Sequence, residues 1–345
     1  LNGPSTGDLD ARLGAVLVTG GGGFLGSAVV RLLREAGVAR VTAAGRRVYP
    51  HVEAIGAASV VADVGDGTAI AAAIAGHDTV VHTAALAGVF GPRAEYERTN
   101  VLGTLNVLAA CRRHGVRRLV FTSSPSAVFD GTSHVDAGND LAYPRRYLAH
   151  YPRTKAEAER LVLDANGPAL ATVALRPHLI FGPGDPHLVP RLVARARAGR
   201  LVRVGPGTNR VSLTYVDNAA HAHVDAAAGL APGAPHAGRA YFVNQAEPVV
   251  LWQWLESLLA GVGAPLPTRR VSARTAYAAG ALCELTWRVL GRAGEPPMTR
   301  FVAQQLALEH TYSLAPAARD FGYVERVGLA EATARTIAAF ARAER

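Results

Sequence analysis

Lysine is almost absent from this 345-residue chain: of its 36 basic residues, 35 are arginine and one, Lys155, is lysine. Cysteine is nearly as scarce. Cys111 and Cys283 stand far apart in no C-x-x-C pattern, which excludes a disulfide framework and a thiolate metal site and fits a reducing cytoplasm. Aromatics make up only 6%. The net charge of +9 comes from arginines scattered in ones and twos, such as Arg46-Arg47, Arg112-Arg113 and Arg117-Arg118, with no basic block interleaved with aromatics. That distribution argues against nucleic-acid binding and for attraction to an anionic cofactor, an acidic substrate or an acidic partner. No run reaches the ~20 apolar residues needed to span a bilayer. The nearest, residues 276–291, is interrupted by Glu284 and Arg288 and is expected to form a buried or surface-lying amphipathic helix. The opening LNGPSTGDLD has no basic start followed by an apolar run, so residues 1–14 are expected to be a flexible leader and not a signal peptide.

What the chain does have is 49% hydrophobic residues and a regular alternation of short β-rich and longer helical runs. Residues 15–18, 40–44, 59–64, 78–85, 117–124 and 171–177 have strand character. Between them, FLGSAVVRLLREAG, GTAIAAAIAG, a long run over 96–115 and residues 151–166 have helical character. Near-continuous apolar strands separated by helices imply α/β architecture, a doubly wound parallel sheet of the Rossmann type over 15–180. Beyond residue 180 the pattern loosens, with two short strands expected within 201–216 and helices near 250–262 and 299–309. Residues 181–345 are expected to form a smaller substrate-binding region, interleaved with the first and packed over its sheet's C-terminal edge.

VLVTGGGGFLG, residues 16–26, lies between the first strand and the first helix, where glycines let a backbone approach a pyrophosphate and a helix N-terminus offers it free N–H groups. Two registers fit: Gly21-x-Gly23-x-x-Gly26, and Thr19-Gly20-x-x-Gly23-x-x-Gly26. Sites that bind NAD usually place Asp or Glu about 20 residues past this loop to grip the ribose 2′-hydroxyl. Here the second strand runs into Arg46-Arg47 with no carboxylate, which favours NADP(H), Arg46 pairing with the 2′-phosphate. Asp63, closing the third strand, is placed to meet an adenine amino group.

The lone lysine lies four residues after Tyr151, in YPRTK. With ten tyrosines in the chain, a single lysine would fall at this spacing by chance roughly one time in thirty-five. On a helix the two side chains share a face. An ammonium there favours tyrosinate and lowers the phenol's pKa toward the working range, and it can hydrogen-bond ribose hydroxyls where arginine's planar fork could not. Elsewhere, His221-x-His223 on one helix points two ways and cannot share an ion, so no metal is expected. Asp217 is expected to cap that helix. His82 and His178 are expected to be satisfied core or loop histidines, and Trp252 and Trp254 packing residues.

Taken with YPRTK, the segments TGGGGFLG, ADV (62–64), VHTAA (81–85), TNVLGT, FTSS (121–124) and LRPHLIFGPGD (175–185) resemble the extended short-chain dehydrogenase/reductases. They occur in that family's order over residues 15–245. The resemblance implies a catalytic tetrad. Tyr151 exchanges the proton with the substrate oxygen, Ser124 hydrogen-bonds that oxygen, Lys155 tunes Tyr151 and holds the nicotinamide ribose, and Asn100 anchors a water relay. Ser126, one turn on, competes with Ser124 or touches substrate. The implied cofactor contacts are Gly20, Gly23, Phe24, Leu25, Gly26, Arg46, Asp63, Val64, Ala84, Tyr151, Lys155 and Pro177.

SSPSAVFDG, residues 187–223 and residues 299–323 further resemble the branch holding 3β-hydroxysteroid and sterol-4-carboxylate 3-dehydrogenases, and most of all the bacterial ketoreductases of long-chain olefin biosynthesis. These reduce hydrophobic β-keto acids, 2-alkyl-3-oxoalkanoic acids, with NADPH. Partners implied by the resemblance are β-lactone-forming and decarboxylating enzymes, in a cytoplasmic assembly or at the membrane periphery, and a homodimer by analogy with the fold. Arg210 is a candidate for the substrate carboxylate. A sterol dehydrogenase using NAD, a nucleotide-sugar epimerase or dehydratase, and a non-catalytic dinucleotide-binding scaffold are the alternatives. The retained Lys155 discriminates against the last of these.

Overall fold

In a computed structural model, which describes residues 6–344, seven strands pair in parallel throughout. Their spatial order is Ala240–Val243, Ala171–Pro177, Arg118–Thr122, Thr79–His82, Val16–Thr19, Val41–Gly45, Ala58–Val61. The strand sequence reverses direction on either side of Val16–Thr19, which creates the crevice where doubly wound sheets bind ligands. Every residue of Val16–Thr19, Thr79–His82 and Ala171–Pro177 is buried, because helices cover both faces. The helix Phe24–Glu35 buries Leu25, Ala28, Val29, Val30 and Leu33 between the sheet and the helix Val216–Gly229. Each fully buried Val or Leu there contributes about 1.5–3 kcal/mol.

Four details depart from the sequence expectations. Part of the supposed leader is structured: Thr6–Leu13 is a helix whose Leu9 and Leu13 enter the core, with Leu13 at 0% exposure, and Arg12 donates to the carbonyl of Ala228. Burial of two leucines outweighs the polar composition around them; residues 1–5 lie outside the described residues. The long helix expected over 96–115 is interrupted. Arg93–Tyr96 and Gly103–His114 are α-helical, but Glu97–Leu102 between them is a π-helix. The stretch 201–216 makes three two-residue strands, Arg203–Val204, Arg210–Val211 and Thr214–Tyr215, each paired in a different small sheet. Asp217 does not cap its helix. Tyr215 holds the N-cap position, and Asp217 sits inside the first turn, paired with Arg31 at 2.6 Å.

Beyond residue 180, a four-stranded sheet forms in the order Val249–Val250, Arg210–Val211, His310–Tyr312, His134–Ala137. The strand Ala240–Val243 returns to the edge of the large sheet. The helix Ala273–Val289 packs on Arg300–Ala307 so closely at Gly280 that a Cβ there would stand 2.5 Å from the carbonyl carbon of Thr299. Its other face carries the exposed side chains Leu282, Leu285 and Val289. No described helix is long and apolar enough to cross a membrane.

Candidate active site

The loops leaving the C-terminal ends of the parallel strands converge on one edge of the sheet. The first holds the glycine run. Gly20 adopts φ +67°, and a Cβ there would stand 2.9 Å from the Ala84 backbone. A Cβ on Gly26 would lie 2.1 Å from the carbonyl oxygen of Gly20. Gly23 is the N-cap of Phe24–Glu35 and offers no side-chain cap, so the first-turn N–H groups remain open to an anion. The spacing Gly20, Gly23, Gly26 therefore carries the turn, the helix start and the close packing, while Gly21 and Gly22 fit against Ala43 and the Tyr49 ring. This cradle, which a Cβ would fill, fits a dinucleotide pyrophosphate. Leu25 and Val64 are buried behind it; Phe24 and Ala84 are partly exposed along it.

Beside the glycine run, Arg46 and Arg47 follow the second strand and are exposed, and neither forms an ion pair among the described residues. Arg47 lies 5.8 Å from the centroid of Tyr49. Asp63 accepts from the Gly65 N–H at 2.8 Å and from Arg98 at 2.9 Å. Burial opposes the carboxylate there, but these two bonds and the charge of Arg46 prevail and hold the Asp63 carboxyl below its usual range.

Tyr151 and Lys155 lie on the helix His150–Asp164. Ser124 begins the short 3₁₀ turn Pro125–Val128, and its hydroxyl stands close enough to Tyr151 to favour the phenolate. Ser126 donates to Ser124 Oγ at 2.9 Å, so the two serines stand in series, with Ser124 next to the phenol. Burial raises the Tyr151 pKa, and Ser124 works in the opposite direction. The Lys155 side chain donates to the Thr122 carbonyl and lies 4.1 Å from the Phe121 ring centroid. Lys155 is itself so buried, at 2% exposure, that desolvation pushes its pKa down to about 7 against the pull of Glu159.

Asn100 is held by the π-helix. Its Nδ2 donates to Leu86 O at 3.1 Å and to Thr154 Oγ1 at 3.0 Å, while its Oδ1 accepts from Leu86 N at 2.7 Å. A π-turn, common at functional sites, rotates this residue into the core where an α-helix would carry it past. Behind it runs a buried chain. Thr104 Oγ1 donates to Asn100 O at 2.7 Å, and His82 bridges Thr104 Oγ1 at 3.1 Å and Thr19 Oγ1 at 2.6 Å. Because Thr104 spends its proton on Asn100, His82 must donate through Nε2 and accept at Nδ1 from Thr19. His82 is a satisfied core histidine, kept neutral by burial with its pKa near 3. The glycine loop, the π-helix and the Tyr151 helix thus share one hydrogen-bonded spine.

Three supporting residues, Thr154, Glu159 and Arg176, were given no role from the sequence. Thr154 is the acceptor for Asn100. Glu159, one turn beyond Lys155, forms a buried two-pronged pair with Arg176 at 2.6 and 2.9 Å and accepts from Tyr143 at 2.6 Å. A buried charge is tolerable only when paired in this way. The available signal was weak: Glu159 extends the Tyr151–Lys155 face at i+4. Pro177 ends the strand after Arg176 and is buried. His178, next in line, bonds the Ser212 carbonyl at 2.7 Å. Arg210 lies apart on the small sheet, exposed, with its guanidinium on the Pro248 carbonyl at 2.9 Å.

A cavity of about 900 Å³ abuts the start of the Tyr151 helix. Its wall includes Tyr147 and His150, the loop Val89–Arg93, and the end of helix Ala273–Val289 with the segment after it. Tyr147 reaches from this wall to the Ala127 carbonyl at 3.0 Å, three residues past Ser124.

Comparison with known proteins gives consistent relatives. The model of the 3-beta hydroxysteroid dehydrogenase/isomerase family matches residues 17–273. A protein of Stenotrophomonas maltophilia named 2-alkyl-3-oxoalkanoate reductase is 50% identical over 322 residues, covering 93% of this chain and 97% of the relative. A protein of the same name from Shewanella oneidensis is 43% identical over 335 residues, covering 95% and 86%. Among solved structures, MoeE5 in complex with UDP-glucuronic acid and NAD is 26% identical with a TM-score of 0.71, covering 96% of this chain and 100% of that one.

Proposed function

This chain is a member of the 3-beta hydroxysteroid dehydrogenase/isomerase family, an oxidoreductase of the extended short-chain type, and on that premise we propose that it reduces a 2-alkyl-3-oxoalkanoic acid to the 2-alkyl-3-hydroxyalkanoic acid with NADPH. The observation that carries the substrate class is the 50% identity, over almost the full length of both chains, to a reductase named for that substrate.

The chain's own residues suit the chemistry. Bound NADPH supplies the hydride to the ketone carbon. Tyr151 gives its phenolic proton to the ketone oxygen, and the burial that raises its pKa keeps that proton in place at neutral pH. Ser124, beside the phenol, turns its single hydroxyl proton to the same oxygen. Lys155, with one N–H on Thr122 O, has two more for the ribose hydroxyls. Gly20, Gly23 and Gly26 cradle the pyrophosphate, and the unpaired Arg46 takes the 2′-phosphate. The hydroxy acid suits β-lactone formation followed by decarboxylation, so enzymes of those classes are its proposed partners in olefin biosynthesis.

The test is oxidation of a racemic 2-alkyl-3-hydroxyalkanoic acid by the purified protein with NADP⁺ or NAD⁺, followed by nicotinamide absorbance, with a 3β-hydroxysterol alongside. Turnover of the hydroxy acid, faster with NADP⁺, is the expected result. Turnover of the sterol alone with NAD⁺ would overturn the substrate and cofactor while leaving the Tyr151–Lys155 pair in place.

A further inference from the structure

A β-keto acid carries its charge beside its reacting group, since the carboxylate carbon and the ketone carbon are both bonded to the same carbon. A reductase for such acids therefore has use for a cation close to the proton donor. Five arginines line the cavity at the start of the Tyr151 helix, and most are already neutralised. Arg93 pairs with Glu97 at 2.7 Å, and Arg153 pairs with Glu97 at 2.6 Å and Glu157 at 3.2 Å. Arg300 closes on the buried Glu284 through two guanidinium bonds, of 2.7 and 3.0 Å, and its own backbone N–H at 2.8 Å.

Two cations are left. Among the described residues Arg288 comes no nearer to a carboxylate than 4.0 Å, to a Glu284 oxygen that Arg300 already holds. Arg292 has no carboxylate within ion-pair distance among the described residues, and its guanidinium lies 5.0 Å from the ring centroid of Trp287. Trp287 lines the same cavity, and its indole N–H has no acceptor among the described residues. A buried donor without a partner costs about 1–3 kcal/mol, which an incoming oxygen would relieve. Val89, Phe90 and Leu148 give the cavity apolar wall for alkyl chains. The place is right as well: His150, in the wall, immediately precedes Tyr151, and the charge of Arg288 is among those that depress the His150 pKa, after burial, Arg153 and Arg93.

We propose that Arg288 and Arg292, with the indole N–H of Trp287, form the site that grips the substrate's carboxylate and so select free 3-oxo acids over their neutral esters. The site is a specificity device and takes no part in the hydride or proton transfer. It rests on the substrate class proposed above, and it differs from Arg210, which stands outside the cavity wall.

The decisive comparison uses Arg288→Gln, Arg292→Gln and the double variant with NADP⁺ and two substrates, a 2-alkyl-3-hydroxyalkanoic acid and its methyl ester. The side chain of Arg288 is 60% exposed, so its replacement leaves the fold intact. The expected result for the double variant is a rise of about 10–100-fold in KM for the acid, of the size expected when a charged hydrogen bond is lost, with kcat and the ester kinetics nearly unchanged. Equal losses on acid and ester, or no change on either, would overturn the site. A wild-type protein that oxidises neither substrate would instead sink the substrate class. Tryptophan fluorescence then decides the site separately, because Trp252 and Trp254 are buried in the core and Trp287 lines the cavity. Saturable binding of dodecanoate but not methyl dodecanoate, weakened at least tenfold in the double variant, would uphold the site. Equal binding of both, or no binding, would end it.

Discussion

Asn100 donates from Nδ2 to Thr154 Oγ1 at 3.0 Å, so a residue on a π-helix is tied to the middle of the Tyr151–Lys155 turn. Thr154 passes its own proton back to the His150 and Tyr151 carbonyls at 3.0 and 3.1 Å. Thr154→Val keeps the shape but leaves a buried amide N–H short of one acceptor. The expected cost is about 1–3 kcal/mol in urea unfolding, with a fall in kcat that Thr154→Ser restores. A variant as stable and as active as the parent would remove Thr154 from the positioning of Tyr151.

Tyr151→Phe deletes the hydroxyl that Ser124 contacts and nothing else. Turnover is expected to fall by about 10²–10⁴-fold, the usual worth of a positioned acid, while NADPH affinity, followed by fluorescence, stays within about twofold of the parent. Loss of both properties together would mean that the phenol holds the site's shape, and retention of both would mean that another group supplies the proton.

Arg46 is exposed, with no ion pair among the described residues, just past the strand Val41–Gly45, where NAD-binding folds usually carry an acid. Arg46→Asp is expected to turn the preference from NADPH toward NADH, read as the ratio of kcat/KM for the two cofactors. The loss for NADPH should be on the order of tenfold to a hundredfold, the range of one charged hydrogen bond. An unchanged ratio would move phosphate recognition to Arg47 or elsewhere.

Burial holds several histidines neutral. His178 and His223 are pushed down to about 4, and His82 to about 3. The unfolded chain, with histidine near 6.5, takes up protons that the folded protein refuses as pH falls from about 6.5 to 4. Stability is therefore full above about pH 7 and declines through that window, by up to about 1.4 kcal/mol per pH unit for each such histidine. Urea midpoints at pH 8, 6.5 and 5 measure the slope. His223→Gln, which retains a partner for Thr122 Oγ1, should flatten it, and an identical slope in that variant would count against His223.

The parallel sheet was legible because each buried strand leaves a run of apolar residues, and the glycine loop because only glycine fits where a Cβ would meet the Gly20 carbonyl at 2.1 Å. Tyr151 and Lys155 were legible as a pair in a chain that otherwise writes arginine. The π-helix was not. Residues 97–102 have ordinary helical composition, and what widens the turn is the fit of Asn100 between Leu86 and Thr154, a contact 54 residues away in sequence. Arg176 and Glu159 likewise look like surface charge until strand and helix bring them together in the core. Spacing and the family resemblance both singled out Lys155, and neither reveals that its side chain rests on the Thr122 carbonyl. The N-terminal helix was missed because two leucines among polar residues carry no periodicity strong enough to read.

Keeping a single lysine, and burying it, has a consequence outside catalysis. A protease that cuts only after lysine finds one peptide bond in this sequence, between Lys155 and Ala156, inside a helix and with the side chain 2% exposed. That bond becomes available only when the Tyr151 helix opens, so the rate of this one cut counts openings of that helix. A bound dinucleotide slows the cut in proportion to how far it closes that helix. The arginines, spread along the chain, leave a trypsin-like enzyme no such selectivity. The lone lysine thus records, as a single scission, how often that helix comes apart.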